Sequence, residues 1–187
     1  MRYIAYLLYI LFLLFISSCN QEKQKIKCIY DSTIRFPERM EIWRGNEKAE
    51  SHYHQNAPIK LVMYYSDIEC SPCAINNLKE YNDIYKKTGC DTLFSPIIIF
   101  SLNNQYYSST SNLQSHGIDF PVVIDKYNDF RSINHSTPAD SRYHTFLLDR
   151  NNRVVLVGNP LASDAMWSLF RKTLDNMLAN DGLYIPE

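Results

Sequence analysis

The stretch Lys60-Leu61-Val62-Met63-Tyr64-Tyr65-Ser66-Asp67-Ile68-Glu69-Cys70-Ser71-Pro72-Cys73 decides how the chain folds. Its first half is nearly continuously apolar, the pattern of a strand at the centre of a covered sheet. Ile75, Leu78, Tyr81, Ile84 and Tyr85 then recur at helical spacing, with Asn, Lys, Glu and Asp between them. This predicts a helix that stops near Thr88-Gly89, where glycine takes the left-handed cap conformation. Two cysteines thus fall at a strand-to-helix turn.

That position carries chemistry. Unpaired backbone N–H groups and the dipole at a helix start stabilise an anion, so Cys70 is the thiolate candidate, with a pKa below the ~8.5 of a free thiol. Cys73 lies one turn deeper, placed to attack a mixed disulfide formed at Cys70. Pro72 suits a first turn, where its missing N–H costs nothing, and Ser71 completes the C-x-x-C spacing. Two other readings stay open. The pair can be a structural bridge, or half of a zinc site with His52 and His54 of a polar loop as a weak partner set. No second C-x-x-C accompanies it.

Outward from this centre, the pattern alternates strands and helices. Leu93 to Leu102 reads as a second buried strand, Asn104 to His116 as a polar helical crossover, and Phe120 to Asp125 as a short strand. Tyr127 to Asn134 reads as a short helix. His144 to Asp149 and Arg153 to Val157 form a hairpin around Arg150-Asn151-Asn152. A last helix runs from about Ser163, its N-cap, to Asn180, with Met166, Leu169, Phe170, Leu174, Met177 and Leu178 as its apolar stripe. Upstream, Cys28 to Met40 predicts one early strand and Glu47 to Pro58 a loop. The order gives parallel βαβ units and then an antiparallel pair: an α/β fold with a mixed central sheet flanked by helices.

The amino terminus reads as an address. Met1-Arg2 precede an uncharged apolar run from Tyr3 to Ile16, too short to span a bilayer comfortably, and Ile16-Ser17-Ser18-Cys19 ends it. Small residues before a cysteine resemble a bacterial lipobox, which implies cleavage before Cys19 and a lipid on it; a plain signal peptide or an anchor helix is the other reading. The organisation is then a lipoprotein signal at 1–18, a tether at 19–27 and one globular domain at 28–187. Such a protein is exported to the cell envelope and faces the periplasm, anchored in the inner or outer membrane by acyl chains.

Composition excludes several classes. The 187 residues are 45% hydrophobic and 21% charged with a net charge of -1, ordinary for one globular domain. No basic cluster argues for nucleic acid, and five glycines leave no Gly-rich cofactor loop.

Three segments carry a family resemblance: Leu61-Val-Met-Tyr-Tyr-Ser66 before Cys70-Ser-Pro-Cys73, Phe120-Pro-Val-Val-Ile-Asp125, and Thr145-Phe-Leu-Leu-Asp149 with Val154-Val-Leu-Val-Gly158. In this order, over residues 59 to 180, the chain resembles the thioredoxin-like reductases of the TlpA group, common in Bacteroidetes. The resemblance implies a thioredoxin fold, no cofactor, exported clients with thiols or disulfides, and an unidentified electron donor or acceptor. Its members usually carry Trp-Cys before the motif, whereas Ile68-Glu69 stand here; a carboxylate at Glu69 disfavours a nearby thiolate unless it points into water. A thiol peroxidase is a second reading, although Asp67 occupies the position of the T-x-x-C threonine. A third is a redox-inactive thioredoxin-fold module that binds a partner. The resemblance also implies a residue opposite the motif, just before the strand Thr145 to Asp149. Tyr143 or His144 stands where thioredoxin-like folds place a cis-proline, with Pro138 upstream, and a trans bond is expected at Tyr143. Cys28 and Cys90 read as small buried hydrophobes or as a bridge. Asp125 and Asp149 read as turn-forming carboxylates at strand ends.

Overall fold

A computed structural model of the chain describes residues 23–30, 32–44, 47–49, 57–66, 75, 78, 81, 84, 93–101, 111 and 121–186. A helical segment, α1, covers 23–29. The strands are β1 (Glu41–Arg44), β2 (Glu47–Ala49), β3 (Ile59–Tyr65), β4 (Phe94–Ser101), β5 (Pro121–Asp125), β6 (Thr145–Leu148) and β7 (Val154–Val157). Two more helices are described, α2 (Asp129–Ile133) and α3 (Asp164–Ala179), with 3-10 turns at Ser141–Tyr143 and Pro160–Ala162.

The strands form one sheet in the order β2-β1-β5-β4-β3-β6-β7. β3, β4 and β5 run parallel, while β6 pairs antiparallel with β3 and β7 with β6. Alternation along β3 explains why this strand is apolar almost throughout. Ile59, Leu61 and Met63 face a core shared with Phe170, Leu174 and Met177 of α3 and with Ile75, Leu78, Tyr81 and Ile84. Val62 and Tyr64 face the opposite core, with Ile29, Ile34, Phe130 and Phe146. A strand covered on both faces cannot alternate with polar residues. At each of Ile75, Leu78, Tyr81 and Ile84 the backbone is helical and the side chain buried, at the three-residue spacing read from the sequence.

Ser163 caps α3 as expected: its Oγ accepts the Met166 N–H at 3.2 Å. The apolar stripe is narrower than its sequence pattern, since Leu169 is 46% exposed while Thr173 is buried in line with Phe170, Leu174 and Met177. The β6–β7 turn closes on Asp149, whose Oδ1 accepts from the N–H groups of Asn151 (2.8 Å) and Arg153 (2.9 Å). The turn-forming role read for this aspartate holds.

Three expectations near the amino end are corrected. The early strand does not lie within Cys28 to Met40; there the chain makes only a single bridge, Thr33 to Arg153, and the strand is β1. Its alternate residues Ile42 and Trp43 meet opposite cores, but Glu41 and Arg44 hid that pattern. The loop read from Glu47 contains β2, paired antiparallel with β1 from Arg44↔Glu47 to Ile42↔Ala49. In the described part of the segment read as a tether, and just beyond it, residues 23–29 are helical, and Ile29 is fully buried. Gln, Lys and Glu are good helix formers. Cys28 on that helix is an exposed free thiol, neither a buried hydrophobe nor half of a bridge. The crossover read over Asn104 to His116 lies outside the described residues except for residue 111, which is helical and exposed.

Candidate functional site

The carboxyl end of β3 is where the sequence places the chemistry. β3 ends at Tyr65, and Ser66 beyond it is fully buried. Glu69, Cys70, Ser71, Pro72 and Cys73 lie outside the described residues, as do Cys19, His52, His54 and Cys90. The surroundings of this strand end are described in detail.

One wall is aromatic. Tyr65 stacks on Phe100 at the end of β4, with centroids 4.7 Å apart and planes 12° from parallel. The Tyr65 and Tyr81 hydroxyls lie 2.8 Å apart in a hydrogen bond. This pair fastens the end of β3 to the helical position Tyr81, a link that composition alone did not reveal. Tyr64 points to the other face, where its ring meets Phe130 at 5.0 Å and its hydroxyl donates to Asn128 Oδ1 at 3.2 Å.

The opposite wall is the segment from Pro138 to His144. The Tyr64 N–H donates to the His144 carbonyl at 2.9 Å, extending the β3–β6 ladder beyond the Met63↔Thr145 pair. His144 is 2% exposed, and its ring lies 5.1 Å from that of Tyr64. Its Nε2 sits 2.8 Å from the Pro138 carbonyl; because a carbonyl only accepts, Nε2 carries the proton. Tyr143 is also buried, at the end of the 3-10 turn that Asp140 caps by accepting the Arg142 N–H. The Arg142 guanidinium bonded to Asp140 holds this carboxyl well below the usual carboxylate range, and Lys25 of α1 adds to the effect from 3.4 Å. No peptide bond among the described residues is cis, so the bonds at Pro138, Tyr143 and His144 are trans.

The other titratable groups of this sheet are structural. Asp125, 1% exposed, accepts from the Asp129 N–H through Oδ1 and from the Phe130 N–H and Ser101 Oγ through Oδ2. Every contact is a donor to a carboxylate oxygen, which is the geometry of a cap. Lys60, at the far end of β3, was not singled out in the sequence. It is 3% exposed, donates to Asn152 Oδ1 at 2.8 Å, and burial pushes its ammonium down to about 8, with the Asp149 charge opposing that shift. A lone lysine in an apolar strand was the available signal. Among the described residues no group of His, Cys, Asp and Glu side chains could hold a metal ion, and no helix is long and apolar enough to cross a membrane.

No protein-family model matches the chain, and no curated relative matches it. Solved structures do. A candidate protein disulfide isomerase from Bacteroides thetaiotaomicron superposes with a TM-score of 0.51 at 13% identity, covering 80% of this chain and 90% of that one. The mitochondrial 2-cys peroxiredoxin from Plasmodium falciparum gives 0.50 at 14% identity, covering 82% and 98%. An uncharacterised thioredoxin-like protein from Porphyromonas gingivalis gives 0.46 at 16% identity, over 77% and 92%. At such identities the likeness to the first two speaks for the fold alone, which agrees with the parallel β3–β4–β5 unit and its antiparallel β6–β7 edge. The chain has a thioredoxin-like fold.

Proposed function

We propose that the protein is an exported, membrane-anchored thiol–disulfide oxidoreductase acting on protein thiols through Cys70 and Cys73. The observation that carries this reading is where the motif falls in a thioredoxin-like chain. Cys70 follows Ser66, the buried end of the central strand, by four residues, and Cys73 precedes the helical position Ile75 by two. An extended chain spans at most ~3.6 Å per residue, so connectivity keeps Cys70 within about 14 Å of Ser66. The segment that ends in the buried Tyr143 and His144 borders the same strand end, and we assign its exposed residues, Ser141 and Arg142, to client contact.

In the reducing direction the Cys70 thiolate attacks one sulfur of a client disulfide, forming a mixed disulfide and expelling the first client thiolate. Cys73, deprotonated, then attacks the Cys70 sulfur. This forms the Cys70–Cys73 disulfide and releases the second client thiol; two electrons have passed to the client. A dithiol donor must restore the reduced pair. The oxidising direction is the reverse, and the reduction potential of the pair decides between them.

Reduction of insulin disulfides by the reduced protein tests the proposal, with Cys70→Ser expected to abolish turnover and Cys73→Ser to accumulate mixed disulfides. Equal trapping by both variants overturns the assignment of roles, and no turnover by the wild type favours the redox-inactive partner-binding module. The likeness to a peroxiredoxin motivates one parallel assay, peroxide consumption, in which Asp67 at the threonine position leads us to expect no activity. Anchoring is proposed through Cys19: Cys19→Ser should release the protein from the membrane fraction or block its processing.

A further inference from the structure

Beside α2, Asn128, Arg131, Ser132, Asn134, His135 and Thr137 line a cleft of about 370 Å³. Every lining side chain among the described residues is polar, one is a permanent cation, and none is a carboxylate. Two of the six are spent within the fold. Asn134 donates from Nδ2 to the carbonyls of Arg35 and Phe130 and accepts the Arg35 N–H through Oδ1. The Ser132 hydroxyl donates to the Asp129 carbonyl.

The other four keep donors in reserve. Asn128 uses only its Oδ1, for the Tyr64 hydroxyl, so its Nδ2 is uncommitted. Among the described residues, the Arg131 guanidinium and the His135 ring have no hydrogen-bond or ion-pair partner. Thr137 is 7% exposed, and its buried Oγ1 has no hydrogen-bond partner. A buried hydroxyl left unpaired costs about 1–3 kcal/mol, so native structures rarely keep one without a reason. The nearest acidic side chains in sequence are committed elsewhere: Asp129 pairs with Arg39 at 3.0 Å, and Asp125 caps α2.

We propose that this cleft binds an oxyanion, a carboxylate or phosphate group of a small molecule, with Arg131 as its fork and Thr137 and Asn128 as neutral donors. A guanidinium matches two oxygens of either group, which a lysine ammonium does not. The volume exceeds that of a bare ion and lies at the lower end of small-molecule sites, ~300–1,000 Å³. The Tyr64 hydroxyl on Asn128 and the Tyr64 ring against His144 place the cleft one side chain away from the Pro138–His144 wall.

Titration of the full chain with inorganic phosphate and, separately, with succinate, followed by amide NMR shifts, tests the site without involving Cys70 or Cys73. Its failure is therefore distinct from a failure of the redox reading. Saturable shifts confined to residues 128–137 are expected with at least one anion, and the tighter of the two identifies the source of the group. Arg131→Ala should weaken binding by about tenfold or more, Arg131→Lys should retain phosphate better than succinate, and Thr137→Val should weaken both anions while the fold is kept. Absence of saturable shifts with either anion, or unchanged affinity in Arg131→Ala, overturns the proposal and leaves water as the partner of Thr137.

Discussion

Tyr64 and His144 hold each other twice: by a backbone hydrogen bond of 2.9 Å from the Tyr64 N–H to the His144 carbonyl, and by rings 5.1 Å apart. The pair joins the central strand to the segment that borders its carboxyl end. His144→Ala keeps the backbone bond but removes the ring and leaves the Pro138 carbonyl without the Nε2 donor. A loss of about 2 kcal/mol is expected, from one lost hydrogen bond and one lost buried ring contact. The check is urea unfolding, where the midpoint should fall with the slope unchanged. A variant as stable as the wild type would show that the wall is held by its backbone alone.

Asp125 is expected to be the most sensitive polar residue of the sheet. Asp125→Ala leaves two N–H groups of α2 and the buried Ser101 hydroxyl unpaired at once. That should cost about 3–5 kcal/mol, against about 1 kcal/mol for Ser101→Ala. Because the two side chains share one hydrogen bond, the double variant should be less destabilised than the sum of the singles, which a double-mutant cycle in urea measures directly. Simple additivity would mean that the Ser101 contact carries no energy.

The strong features were legible because one physical rule produced each of them. β3, β4 and β5 are covered on both faces, so their apolar runs were continuous, and β6 and β7 flank a turn rich in Asn and Arg. β1 and β2 were not legible. Lys48 on the edge strand reaches Glu41 of β1 at 3.2 Å and Glu47 beside it is exposed, and such strands read as loops when hydrophobicity alone is followed. Gly45-Asn46 between them was the hairpin signal to weigh more heavily. The place of Tyr143 and His144, just before β6, was legible by aligning one strand. The Tyr65–Tyr81 hydroxyl pair and the uncommitted donors around Thr137 depend on contacts between distant segments, which no local pattern encodes.

Gly158 is fixed by its backbone. Its φ of 132° is a conformation that side-chain-bearing residues rarely adopt, and its N–H donates to the Thr145 carbonyl at 2.8 Å. A Cβ there would also lie 2.7 Å from the Met166 methyl of α3. Gly158→Ala should cost about 2 kcal/mol or more. The Met166 contact is the far end of a flexible side chain and can move aside, whereas the backbone cannot. Adding Met166→Ala should therefore recover little of the loss. Full recovery in the double variant, measured by thermal unfolding, would put the cost in the contact instead.

Lys60 predicts an unusual pH dependence. Its ammonium is buried on the central strand, donates to Asn152 Oδ1 at 2.8 Å, and titrates at about 8 against 10.5 in an open chain, because burial outweighs the attraction of Asp149. The Asp149 charge opposes that burial without offsetting it. Below about pH 8 both folded and unfolded chains hold the proton, and the folded one bears the whole cost of a buried charge. Between 8 and 10.5 the folded chain has released the proton while the unfolded chain still binds it, so stability rises with pH; above 10.5 the cost is gone. A shift of this size amounts to about 2–4 kcal/mol across the window, at ~1.4 kcal/mol per pKa unit. Other lysines and tyrosines titrate there too, so the informative quantity is the difference between the wild type and Lys60→Met, which shares their background. Urea unfolding of both at intervals across the window should show the wild type gaining on the variant as pH rises. Parallel curves would mean that Lys60 stays protonated in the fold, its charge sustained by Asp149.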